Sequence, residues 1–220
     1  MRVLSFFVPI ALVLALVVAP ATAARAGQAS DQLKVQIDRV VKAIEDPDLK
    51  KESRALERRK SVRKIAEDIF DFGETAKRSL GRHWLARTPA EREEFIGLFA
   101  DLLERSYISK IELFNGEKIQ FVGDTPDGDQ TIVRTKILTR QGTEVPVDYR
   151  MLKKGGDRWL VYDVMIEGVS LVANYRTQFN KIIQTSSYQE LVKKMKTKQE
   201  EFLEQEKQQQ QQQTQTKRTS

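Results

Sequence analysis

Residues able to do proton, nucleophile or metal chemistry are few in this chain. Its 220 residues include one histidine and no cysteine, which excludes a cysteine nucleophile and a His/Cys metal cluster. No HExxH, GxSxG or phosphate-cradling glycine loop occurs. Histidine is the residue type that titrates near neutrality, and the single copy, His83, sits beside Trp84 at a helix end, a place that suits capping or packing. Asp163 in "VYDVMIEG" and the neighbouring Glu167 are carboxylates near a sheet. They could act as general acid and base over an apolar pocket, with plain solvation at a turn as the alternative.

The remaining recognisable chemistry is apolar. In "GVSLVANYRTQFNKII", from Gly168 to Ile183, residues Leu171, Val172, Tyr175, Phe179, Ile182 and Ile183 recur at helical i, i+3, i+4 spacing. Such a stripe packs against other side chains in most proteins. It can also wall a ligand cavity, and the rest of the chain has to decide.

Arg2 precedes a predominantly apolar run from Val3 to Ala21, which leads into the small residues of "ATAARAG". This is the pattern of a secretory signal peptide spanning residues 1–26 at most, with cleavage after Ala23 or Ala26. Pro9 and the short length argue against an uncleaved anchor. An exported chain without cysteine must fold on an apolar core instead of disulfides. The formal charge is 37 − 31 = +6, but the excess lies in mixed-sign runs such as "DPDLKKESRALERRKSVRK", the pattern of a solvated helix face. With export, this makes a nucleic-acid partner unexpected.

Helices, then strands, then helices are the elements available to position these groups. Asp31 is expected to cap a helix carrying Leu33, Ile37, Val40, Val41 and Ile44, ended by "DPD". A second helix, with Val62, Ile65 and Ile69, runs to about Phe70, and a short one lies between Gly73 and Gly81. "RTPAEREEF" combines Thr88 as N-cap, Pro89 at the first helical position and Glu91 completing a capping box. The helix it starts carries Phe95, Leu98, Phe99, Leu102, Leu103 and Tyr107 and stops at Asn115-Gly116. Four strands are expected at about 118–122, 131–139, 144–153 and 159–167, joined by short turns and therefore antiparallel. In the third, Val145, Val147, Tyr149 and Met151 alternate with Pro146, Asp148, Arg150 and Leu152, giving one apolar face that needs a cover. The predicted fold is α+β: a curved antiparallel four-stranded sheet packed against several helices, with room for an apolar cavity between them. A final helix follows Ser187, and the Gln-rich segment 207–220 is expected to be disordered. Residues 27–206 then form a single domain.

Three stretches in this order carry a resemblance: "LGRHWLARTPAEREEFIGLFADLLERSY" at 80–107, "TIVRTKI" at 131–137 and "YDVMIEGVSLVANYRTQFNKII" at 162–183. Together they resemble the periplasmic phospholipid-binding component of Mla-type ABC transport systems, the MlaC or toluene-tolerance family, over residues 31–198. The resemblance implies a soluble periplasmic carrier, not an enzyme and without a cofactor, that holds phospholipid acyl chains between sheet and helices. Its implied partners are an inner-membrane MCE-domain/ABC transporter complex and an outer-membrane lipoprotein–porin complex. A sterol-like cargo such as a hopanoid, a pocket enzyme using Asp163, Glu167 or His83, and a chaperone-like binder of unfolded chains are the competing readings. Joined to the apolar faces read above, the resemblance makes Phe95, Phe99, Leu102, Leu103, Tyr107, Val133, Ile137, Val147, Tyr149, Met151, Val164, Ile166, Val169, Leu171, Val172 and Tyr175 the expected lipid-lining residues.

Overall fold

The computed structural model describes residues 27–219; the signal peptide expected at 1–26 lies outside them. The first helix, α1 (Gln28–Glu45), begins at Gly27 with no side-chain cap, so Asp31 lies inside the first turn instead of capping it. A carboxylate there still complements the helix dipole. A short 3₁₀ turn (Glu52–Arg54) leads into α2 (Ala55–Ile69), then α3 (Phe72–Leu80) and a second 3₁₀ turn (Gly81–Trp84). Helix α4 (Pro89–Glu112) opens on the capping box read from the sequence. The Thr88 hydroxyl accepts from the Glu91 N–H at 3.2 Å, and the Glu91 carboxylate accepts from the Thr88 N–H at 2.8 Å.

Strands β1 (Lys118–Asp127), β2 (Gln130–Leu138), β3 (Glu144–Lys154), β4 (Arg158–Ile166) and β5 (Val169–Ser170) form one antiparallel sheet in chain order. The sheet therefore has five strands, not four. The fifth is two residues long, too short to leave a signal in sequence periodicity, and pairs only at Met165↔Ser170 and Ile166↔Val169. Strand β1 runs past Val122 because a bulge between Phe121 and Gly123 absorbs the break in alternation. Helices α5 (Leu171–Thr185) and α6 (Tyr188–Thr219) close the chain. The expectation of a disordered tail is corrected here, since α6 continues to Thr219. Glutamine is a good helix former, and extending a helix already nucleated by packing avoids the cost of starting one.

The core lies in three pieces, and that division matters for function. One piece joins α3, α4, α5 and α6 through Leu80, Phe95, Phe99, Phe179, Tyr188 and Leu191. A second covers one end of the sheet, where Ala29, Leu33, Ile65 and Ile69 meet Val133, Met151 and Val161. The third is a small knot of Ile44, Val62 and Ile108. A sheet face that is only partly covered leaves space between these pieces.

Candidate lipid cavity

That space is a cavity of about 530 Å³ bounded by α1, the C-terminal end of α4 and the inner face of the sheet. Register puts the wall together. Ile119 pairs with Ile137, Val147 with Ile166, and Tyr149 with Val164, so strand alternation turns these side chains to one face. The opposite wall is the α1 stripe of Leu33, Ile37, Val40, Val41 and Ile44, and Tyr107, Ile111 and Phe114 close the α4 side. Leu113, 78% exposed, stands at the rim. A side chamber of about 160 Å³ lies between α2 and α4 and shares Tyr107, Ile111 and Leu171 with the main one. Arg58 and Arg59 of α2 strap this side by reaching Glu112 of α4 at 2.9 and 3.2 Å.

The polar groups of the wall remain neutral. Burial pushes the Tyr149 hydroxyl up to about 12, against which a hydrogen bond with Thr135 works only weakly. Burial raises Tyr107 too, helped by the Tyr175 hydroxyl to which it is hydrogen-bonded. Both phenols therefore carry no charge at physiological pH.

Seven of the expected lining residues, Tyr107, Ile137, Val147, Tyr149, Val164, Ile166 and Leu171, stand on the main wall, and Leu103 lines the side chamber. The others lie elsewhere. Phe95 and Phe99 are fully enclosed in the helical core, with Leu102 and Tyr175 packed against it. Val133 and Met151 fill the dry end of the sheet under α1 and α2. Val172 is buried, its N–H held by Asp163. Val169, in the short edge strand, is 60% exposed. The α1 residues were visible as a helical stripe in the sequence, but nothing local to them reveals that the stripe faces a sheet 75 or more residues away.

Two of the candidate acid–base groups, Asp163 and His83, are engaged in contacts within the fold. Asp163 is 3% exposed, which replaces the expectation of turn-facing solvation. It accepts from the Ser170 hydroxyl at 2.6 Å and from the Val172 N–H at 3.0 Å, with Arg150 at 3.5 Å. Ser170 in turn caps α5 by accepting from the Ala173 N–H at 2.9 Å. This latch fixes the start of α5, and with it Leu171 on the cavity wall. Glu167 and Gly168 form the turn before it, both with positive φ (50° and 80°). His83 is held by Asn180, whose side-chain oxygen lies 3.0 Å from Nε2. Among the described residues, no three His, Cys, Asp or Glu side chains are grouped as a metal site.

Comparison with known proteins gives this geometry a context. The profile of the MlaC protein family matches residues 34–197. An intermembrane phospholipid transport system binding protein MlaC from Haemophilus influenzae is 26% identical over 120 residues, 53% of this chain and 56% of that protein. The chain thus spans about half the length of that curated relative. A phospholipid-binding protein from Ralstonia solanacearum, solved in complex with a phospholipid, superimposes with a TM-score of 0.69 at 25% identity, over 80% of this chain and 98% of that one. With the family profile covering most of its length, the chain belongs to the MlaC protein family.

Proposed function

We propose that this protein is a periplasmic phospholipid carrier that holds acyl chain in the cavity between α1, α4 and the sheet and hands it between membrane complexes. The observation that carries the reading is the cavity itself, whose lining includes only two charged residues, Lys110 and Glu117. Its volume falls in the range of about 300–1,000 Å³ common to small-molecule sites. The phospholipid-binding relatives and the signal-like segment 1–26 support cargo and compartment. The inner-membrane MCE-domain/ABC transporter complex and the outer-membrane lipoprotein–porin complex are the two stations between which it shuttles in this reading.

If a methylene occupies about the 30 Å³ of a water molecule, the main chamber of about 530 Å³ holds roughly 18 of them. That is nearer one acyl chain than two. At about 0.8 kcal/mol per methylene, filling it is worth roughly 14 kcal/mol against water, so escape into water is slow. Against a bilayer, which is equally apolar, the exchange is near balance. The second chain then occupies the side chamber behind Tyr107 and Leu171 or widens the main one. Transfer of this kind makes and breaks no covalent bond, so Asp163, Glu167 and His83 have no catalytic part in it.

Organic extraction of the purified mature protein followed by mass spectrometry tests the reading. The expected result is about one phospholipid per chain. A sterol-like lipid would replace the cargo, and an extract containing no lipid would overturn the proposal.

A further inference from the structure

The two charged residues of the cavity wall have opposite signs and lie seven positions apart, Lys110 in the last turn of α4 and Glu117 just after the turn that ends it. Lys110 is exposed; its ammonium stands 5.1 Å from the centre of the Tyr107 ring and makes no ion pair among the described residues. The Glu117 carboxylate is fixed by accepting from the Asn115 N–H at 2.7 Å. Backbone N–H groups of Asn115 and Glu117, with Arg140 adding a smaller attraction, hold its pKa below the ordinary carboxylate range, so it is anionic at neutral pH. Arg140 donates to the Asn115 carbonyl and is not part of the cavity lining. A second carboxylate, Glu45 at the end of α1, lies beside Gly116 of the same turn. Exposed Ile111 and Leu113 mark this as the open end of the cavity.

A lipid whose tail fills the apolar wall must leave its headgroup at that open end. There it meets the Lys110 ammonium and the Glu117 carboxylate, with Glu45 adding negative charge beside the same turn. The geometry points to a headgroup subsite selective for a zwitterionic aminophospholipid: Lys110 takes the phosphate oxygens and Glu117 the ammonium. This inference rests on the carrier reading and adds its specificity. A glycerol headgroup brings the same phosphate but no cation, so Glu117 is left facing a net negative ligand. Both groups are solvated, so the discrimination is modest and sensitive to salt.

The test incubates the mature protein with vesicles of equimolar phosphatidylethanolamine and phosphatidylglycerol carrying the same acyl chains. Bound lipid is then quantified by mass spectrometry after re-isolation. Ethanolamine headgroups should be enriched about two- to fivefold at low salt and less at high salt. Glu117→Gln, which keeps an acceptor for the Asn115 N–H, should bring the ratio to about one, and Glu117→Lys should favour glycerol headgroups. Lys110→Gln should lower retention of both lipids together, since both carry the phosphate. Glu52→Gln, an exposed carboxylate away from the cavity, controls for net charge and should leave the ratio alone. A wild-type ratio of about one, or an enrichment that persists in both Glu117 variants, overturns the inference while leaving the carrier intact. A wild-type protein that acquires no lipid overturns both, and the total bound lipid separates the two cases.

Discussion

Replacing Val147 by glutamate separates a lipid cavity from a dry core. Val147 sits on the inner face of β3 between Thr135 of β2 and Ile166 of β4, is 6% exposed and lines the cavity. The one cation on the wall, Lys110, belongs to the exposed end, so a carboxylate at Val147 has no counter-ion designed for it. With acyl chain packed against it, an unpaired charge costs several kcal/mol; about 4 kcal/mol lowers affinity roughly a thousandfold. In the empty protein the cavity of about 530 Å³ can admit on the order of 18 waters, enough to hydrate the charge. The variant should therefore be folded and lipid-free, and Val147→Leu, which adds one methylene, should be folded and loaded. Bound lipid by mass spectrometry and circular dichroism on the same preparation read both properties. A folded Val147→Glu protein with a full complement of lipid refutes the placement of acyl chain at this wall. An insoluble one shows that Val147 fills a dry core.

Asp163→Ala removes the latch on α5 and should lower stability by roughly 2–4 kcal/mol, given about 1.5–3 for a hydrogen bond to a charged group. Urea unfolding should show the loss, and Asp163→Asn should cost less. Tyr149 gives a signature at alkaline pH. Its pKa in the fold, about 12, exceeds the ordinary value of 10, so its contribution is complete below pH 10 and declines as pH rises towards 12. That decline, on the order of 2 kcal/mol, should vanish in Tyr149→Phe when stability is measured across the interval. Deleting residues 208–220 should leave lipid content and melting temperature unchanged within error. The α6 side chains that pack in the helical core, Leu191, Val192 and Met195, all precede the deletion.

Local chemistry was legible in the sequence wherever it was self-contained. The Thr88–Glu91 box needs only residues within one turn, and the alternation through Val145, Val147, Tyr149 and Met151 needs only one strand, so both could be read directly. What could not be read is which distant surface each apolar face meets. Phe95, Phe99 and Tyr107 share one helix and one stripe, yet the phenylalanines are enclosed by α5 and α6 while Tyr107 reaches the cavity. The stripe carries no mark of which of its turns meets the helical core and which meets the cavity. The α1 wall was hidden for the same reason: Ile37, Val40 and Val41 show amphipathic spacing, and only the folded chain sets them opposite Ile137 and Val147. For Asp163 the sequence offers acid–base chemistry or solvation at a turn, and its structural role stays hidden because its partners Ser170 and Val172 become neighbours only after the turn at Glu167-Gly168 brings β5 back along β4. Its buried carboxylate marks a support for the site, seven and nine residues from what it holds.

The central claim is that acyl chain occupies the space between α1, the end of α4 and the sheet. A phospholipid with a photoreactive diazirine near the end of one acyl chain, loaded into the protein, irradiated and mapped by peptide mass spectrometry, addresses that claim most directly. The account predicts adducts on cavity residues such as Ile37, Val40, Tyr107, Val147, Tyr149 and Ile166. Adducts confined to the exposed faces of α5 and α6, with the cavity residues unlabelled, would contradict it.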